Sequence, residues 1–130
     1  MQHTLIAEGY GIRIRPVRLE DAAFIVWLRN LDHAKGNLGD SATDVTDQQA
    51  WLQKYFTRAG DYYFLAETLS GIPVGMNGIY DQAGDTAEGG RFVVSPGVPA
   101  AFPISILTYD LSFGRMKLKE LRATSVASNR

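Results

Sequence analysis

Apolar residues recur along this chain with two different periods, and the changes of period divide it into elements. From Gly11 to Val17, Ile12, Ile14 and Pro16 alternate with Arg13 and Arg15, the period-two pattern of a half-buried strand. From Glu20 to Leu31 the period lengthens. Phe24, Ile25, Leu28 and Leu31 form one apolar helix face, with Glu20 and Asp21 in the first turn, where carboxylates suit the positive end of the helix dipole. Asp32 to Val45 is rich in Gly, Asp, Asn and Ser and reads as a loop. A second helix is predicted from Thr46 to about Gly60. It opens on Thr46-Asp47-Gln48-Gln49, a capping-box pattern, and Trp51, Leu52, Tyr55 and Phe56 make its apolar face.

Strands follow. Tyr62 to Leu69 and Pro73 to Asp81 flank the turn Ser70-Gly71 and predict a hairpin. Gly84-Asp85 marks a second turn, and Thr86 to Ser95 returns around the apolar centre Phe92-Val93-Val94. After the break Ser95 to Pro99, Ala100 to Met116 predicts a mostly apolar helix, and Leu121 to Ala127 a fifth strand. That last strand should lie parallel to the one before the helix, through a right-handed crossover. The fold class is α+β: a mixed, mainly antiparallel sheet flanked by helices. It is not a doubly wound parallel plan.

Composition narrows the function classes. The 130 residues suffice for one domain, and 45% hydrophobic with 21% charged residues fits a packed globular protein. The formal net charge is -1 and no Lys/Arg cluster occurs, which argues against a nucleic-acid partner. There are no cysteines, so disulfides, thiolate metal sites and a cysteine nucleophile are excluded. No apolar run approaches the ~20 residues of a membrane span. Met1 to Thr4 does not open a signal peptide, so a cytoplasmic location is expected. His3 and His33 have no partner spacing, and no metal site is expected from them.

Several phrases, in the same order along the chain, resemble the GNAT superfamily of acyl-CoA N-acyltransferases, in particular its ribosomal-protein and amino-sugar acetyltransferase branch. Arg13-Ile14-Arg15-Pro16-Val17 with Glu20-Asp21-Ala22 resembles the opening strand and helix start, and Trp27-Leu28-Arg29-Asn30 the end of that helix. Gln49-Ala50-Trp51-Leu52 is similar to the second helix, and Tyr62 to Glu67 to the second strand. Pro73-Val74-Gly75-Met76-Asn77-Gly78-Ile79-Tyr80 resembles the third strand, and Glu88 to Val94 the fourth. The resemblance covers essentially the whole chain. It implies a single GNAT-like domain over residues 1–130, truncated after the fifth strand, without the later helix that carries the family's tyrosine general acid.

The resemblance further implies that acetyl-CoA is the co-substrate, held where the fourth and fifth strands splay. Phe92, Val93 and Val94 would meet the pantetheine arm, and Ser95, Gly97, Val98, Ala100 and Ala101 would form the loop offering backbone N–H groups to the pyrophosphate. That loop departs from the family pattern, because Pro96 and Pro99 each remove a donor. It reads equally as a strand-to-helix turn with proline near the helix start. Asn129 would lie near the CoA arm, or fray with the chain end.

N-acylation needs a base for the incoming ammonium. Glu88 is the candidate, against a solvated carboxylate beside a hairpin turn. Tyr80, Trp27, Arg29 and Asn30 could line the acceptor site. The alternatives are a half-buried sheet tyrosine for Tyr80, core packing for Trp27 and a solvated helix end for Arg29. The function expected is acetyl-CoA-dependent N-acetylation of a primary amine, an amino sugar or a protein N-terminus. A non-catalytic acyl-CoA-binding or protein-interaction domain is the alternative, and a small interaction domain without ligand a third. A bare fifth-strand edge would pair with a second copy, so a homo-oligomer is expected unless Met1 to Tyr10 fold across that gap.

Overall fold

The computed structural model describes residues 1–31 and 44–123. Strand β1 (Ala7–Gly9) turns through Tyr10 and Gly11, both at positive φ (57° and 77°), into β2 (Ile12–Pro16). Two positive-φ residues between short strands match the right-handed strand twist. The N-terminal residues therefore pair with β2, at the sheet edge opposite the fifth predicted strand, and do not cover the gap there.

Ile12 and Ile14 are buried on one face of β2, as the alternation requires. Arg15 corrects the expectation of a solvated opposite face, because it is buried as well. Its guanidinium donates to both Asp21 carboxylate oxygens at 2.9 and 3.0 Å and to Glu67 at 3.0 Å. Asp21 also accepts from the Arg18 amide at 2.7 Å. Asp21 thus anchors a 3-10 turn (Leu19–Asp21) to β2, and helix α1 (Ala22–Arg29) begins only after it.

Helix α2 (Val45–Tyr55) starts earlier than predicted. Its N-cap is Asp44, which accepts from the Asp47 amide, in place of the predicted Thr46–Gln49 box. A carboxylate three residues ahead of a helical N–H caps as well as a threonine does.

Strands β3 (Tyr62–Thr68), β4 (Pro73–Ala83) and β5 (Thr86–Val94) form an antiparallel meander within a residue or two of the predicted limits. Helix α3 (Ala101–Tyr109) then loosens into a π-helical stretch at Asp110–Arg115, where Met116 N–H reaches back five residues to the Leu111 carbonyl. Strand β6 (Glu120–Ala123) closes the sheet. The remainder of the predicted fifth strand, Thr124 to Ala127, lies outside the described residues, as does Asn129.

The six strands stand in chain order, all neighbours antiparallel except β5 and β6, which are parallel as the sequence predicts. Each face carries its own core. Phe64, Ile79, Ile104, Leu107 and Leu111 pack between the sheet and α3. Ile25, Leu28, Leu52, Tyr55, Tyr63 and Met76 pack between the sheet and α1/α2.

Candidate functional site

The site grows from an irregularity in β5. Met76 pairs with Val93 and Gly78 with Gly90, so Asn77 alone faces two residues, Arg91 and Phe92. This is a β-bulge, and its first residue, Arg91, has φ 57°. A left-handed conformation costs an L-residue about 1–2 kcal/mol, so something must hold Arg91 there. Asp61, buried ahead of β3, accepts two hydrogen bonds from its guanidinium at 2.6 and 2.9 Å. The guanidinium carbon also lies 4.4 Å from the Tyr80 ring centre, 5.2 Å from Tyr63 and 5.4 Å from Trp51.

Burial penalises the charged arginine, but the Asp61 carboxylate outweighs it and raises the Arg91 pKa. Burial likewise raises the Tyr55 and Tyr63 phenols. Tyr55 hydroxyl accepts from the Tyr63 amide at 2.7 Å. A second bulge interrupts the β4–β5 ladder between Tyr80 and Ala83, with Asp81 at φ 52°.

On the other face of the bulge lies a cleft of about 160 Å³, between β5, β6 and α3. Gly89, Gly90, Phe92, Leu121 and Ala123 give it apolar walls. Its floor is polar: the Asn77 amide donates to the Thr108 hydroxyl at 2.8 Å, and that hydroxyl donates to the Ile104 carbonyl at 2.7 Å. The adjoining turn places Gly97 at φ 76°, and α3 then begins without a side-chain cap.

The sequence-nominated residues separate into groups. Phe92 lines the cleft. Val93 points the other way, into the core with Leu28 and Met76. Val94 and Val98 pack against the α3-side core, and Ala100 is buried within it. Ser95 donates its amide to Val74, while Gly97 and Ala101 are exposed at the head of α3.

Tyr80 lies over Gly90, so that a Cβ on Gly90 would collide with the Tyr80 hydroxyl. Glu88 faces Tyr80 across the β4 ladder and Arg122 across β6, and Arg122 donates to its carboxylate at 3.2 Å. Trp27 is half exposed against Phe24 on α1. Arg29 bonds the Tyr63 side chain, and Asn30 donates to the Val26 carbonyl at 2.8 Å, closing the end of α1. Tyr80, Glu88 and Phe92 thus gather around the bulge.

Arg91, Asp61, Asn77 and Thr108 were not nominated from the sequence. The pair Gly89-Gly90 within a strand pattern was the available signal, since strand glycines mark bulges or close backbone approach. His3 is wedged against Tyr62 and Phe64, with ring centres 5.3 and 4.9 Å away. Among the described residues, no group of three or more His, Cys, Asp or Glu could hold a metal ion.

No family model matches the sequence, and no curated protein matches it. Solved structures do. Apo FdhC, a nucleotide-linked sugar GNAT, superposes with TM-score 0.75 at 23% identity, over 89% of this chain and 70% of that one. Spermidine N-acetyltransferase from Vibrio cholerae, in complex with CoA and spermine, superposes with TM-score 0.81 at 16% identity, over 93% and 75%. The dodecameric form of spermidine N-acetyltransferase from Vibrio cholerae gives TM-score 0.73 at 15% identity, over 93% and 73%. The fold of this chain is the GNAT fold, with a mixed, mainly antiparallel sheet between two helical layers. The neighbours that define it are acetyltransferases.

Proposed function

We propose that this chain binds acetyl-CoA and transfers its acetyl group to the nitrogen of a primary amine. The carrying observation is the bulge at Arg91–Phe92 on the rim of the cleft between β5 and β6. A bulge takes backbone donors out of the ladder. An N–H freed there can meet the thioester oxygen, which gains negative charge as the amine nitrogen attacks the carbonyl carbon. The C–S bond then breaks and CoA leaves as thiolate. Glu88, directly or through a water, takes the proton that the amine sheds.

The cleft fits the acyl end of such a co-substrate. A cavity of comparable size, about 150 Å³, accommodates benzene, and the walls here are apolar around the Asn77–Thr108 pair. Gly97, Val98 and Ala101 at the head of α3 would face the pyrophosphate, whose charge suits a helix N-terminus.

Trp27, Arg29 and Tyr80 are proposed to border the acceptor. Both an amino sugar and a polyamine qualify by chemistry, and the solved neighbours include a nucleotide-linked sugar enzyme and a spermidine enzyme. Assembly into a homo-oligomer and a cytoplasmic location belong to the same reading. The Glu88–Arg122 contact supports a second one, because a carboxylate oxygen already engaged by a guanidinium is not free to take the proton of an amine. On that reading the chain binds acyl-CoA without turnover.

The deciding experiment is thiol release from acetyl-CoA across a panel holding a nucleotide-linked amino sugar, spermidine and a peptide amine. Release above the no-amine rate supports transfer. Calorimetric binding of acetyl-CoA without release supports the second reading. Neither binding nor release refutes both.

A further inference from the structure

Arg91 occupies a position where glycine would be the ordinary choice. The first residue of a bulge with a left-handed backbone is usually glycine, because it has no Cβ to clash. Here that residue carries the longest cationic side chain, and its guanidinium is engaged both at its terminal nitrogens and on its faces. Both terminal nitrogens donate to Asp61, at 2.6 and 2.9 Å. Tyr80, Tyr63 and Trp51 line the faces of the guanidinium.

Asp61 is itself held. Its side chain is 3% exposed, Arg58 approaches it at 3.4 Å, and its backbone carbonyl accepts from the Met1 amine. It sits immediately before β3, the strand two removed from the bulge-bearing β5. The ion pair therefore spans β4, tying the bulge of β5 to the start of β3. The Tyr80 ring lies between, with its hydroxyl over Gly90.

We propose that the Asp61–Arg91 ion pair is a positioning device for acyl transfer: it pins Arg91 in the left-handed conformation and so aims the bulge amides at the thioester carbonyl. This rests on the acyltransferase reading. Neither residue touches the substrate in this account. They act through the backbone between Gly90 and Phe92. The geometry gives the device a distinctive property. If the side chains serve only to hold φ positive, a glycine at position 91 makes them dispensable, because glycine adopts that φ unaided.

The test has a backbone arm and a ligand arm, both on the intact chain. In the free protein, the intraresidue amide-to-Hα Overhauser peak of residue 91 reports positive φ by its strength. A strong peak is expected in the native chain and a weak one in Asp61→Asn. A peak of unchanged strength in folded Asp61→Asn overturns the device.

In the ligand arm, the infrared carbonyl band of bound [1-13C]acetyl-CoA is followed. Polarisation by the bulge moves the band to lower wavenumber in the native chain. Asp61→Asn is expected to lose that displacement while keeping acetyl-CoA affinity within about threefold. The double variant Asp61→Asn/Arg91→Gly is expected to regain it. A folded double variant that binds acetyl-CoA without regaining the displacement overturns the proposal. A native chain with the strong peak but no acetyl-CoA binding refutes the acyltransferase reading, and the backbone arm alone then decides the clamp.

Discussion

The Tyr80 ring covers Gly90 so closely that a Cβ there would collide with the Tyr80 hydroxyl, and the ring would have to move. The two residues lie on neighbouring strands, at the edge of the bulge that Arg91 opens. Substituting Gly90→Ala should therefore displace the ring, and with it the aromatic wall against Arg91. We expect a cost of about 1–3 kcal/mol in urea unfolding, typical of overpacking. In a Tyr80→Val background the same alanine should cost far less, giving a coupling above about 0.5 kcal/mol in the double-mutant cycle. Additive effects would show that the ring yields freely.

Ala101 offers a test in which stability and binding move in opposite directions. It is the first residue of α3, exposed, at a terminus with no side-chain cap. Ala101→Glu places a carboxylate at the positive helix end, which favours folding by about 0.3–1 kcal/mol. The same charge would repel a pyrophosphate a few ångströms away, lowering acetyl-CoA affinity about tenfold. Calorimetry and thermal melting read the two effects separately. Unaltered affinity would remove the pyrophosphate from the head of α3.

Glu88→Gln keeps the shape of the side chain and removes its basicity. If the chain turns over, the rate at neutral pH should fall about 10²-fold, with KM for acetyl-CoA little changed. An equally active variant would assign Glu88 to its contact with Arg122 alone.

His3 makes stability depend on pH. Burial pushes its imidazole down to about 4 from an ordinary 6.5, and its Nε2 has no hydrogen-bond partner among the described residues. The unfolded chain takes up a proton as pH falls through 6.5, while the folded chain holds the ring neutral until about 4. The stability tied to His3 is therefore full above 6.5 and is lost as pH falls from there toward 4. The urea midpoint should drop between pH 7 and pH 5 in the native chain and drop less in His3→Phe. Equal drops in both would place the pH dependence elsewhere.

Much of this fold is legible in the pattern of residues, and the exceptions share a cause. Strands β3, β4 and β5 are long, apolar and punctuated by turns, so local rules suffice to find them. Strand β1 has three residues, too few to show a period. Arg15 looks like the solvated half of an alternating strand, because its partners Asp21 and Glu67 come from a following turn and a neighbouring strand. A buried charge is invisible until its counter-charge arrives. The same holds for Arg91 and Asp61, which are 30 residues apart in the chain. Of Phe92, Val93 and Val94, Phe92 alone lines the cleft; the bulge at Arg91 reverses the alternation and turns Val93 into the core with Leu28 and Met76.

The order of strands in the sheet bears on how the cleft is assembled. Three of the five pairings are hairpins whose partners follow within a few residues, and a meander of that kind needs little search to close. The pairing of β5 with β6 is different. Its two strands are separated by all of α3 and the π-helical turn, so the second wall of the cleft depends on a contact distant in sequence. One wall is encoded locally and the other arrives by long-range docking. Anything seated between them binds only where both walls are in place, and so favours the docked β6 over a detached one. The amides of Glu120 to Ala123 should then be where occupancy first slows exchange with solvent.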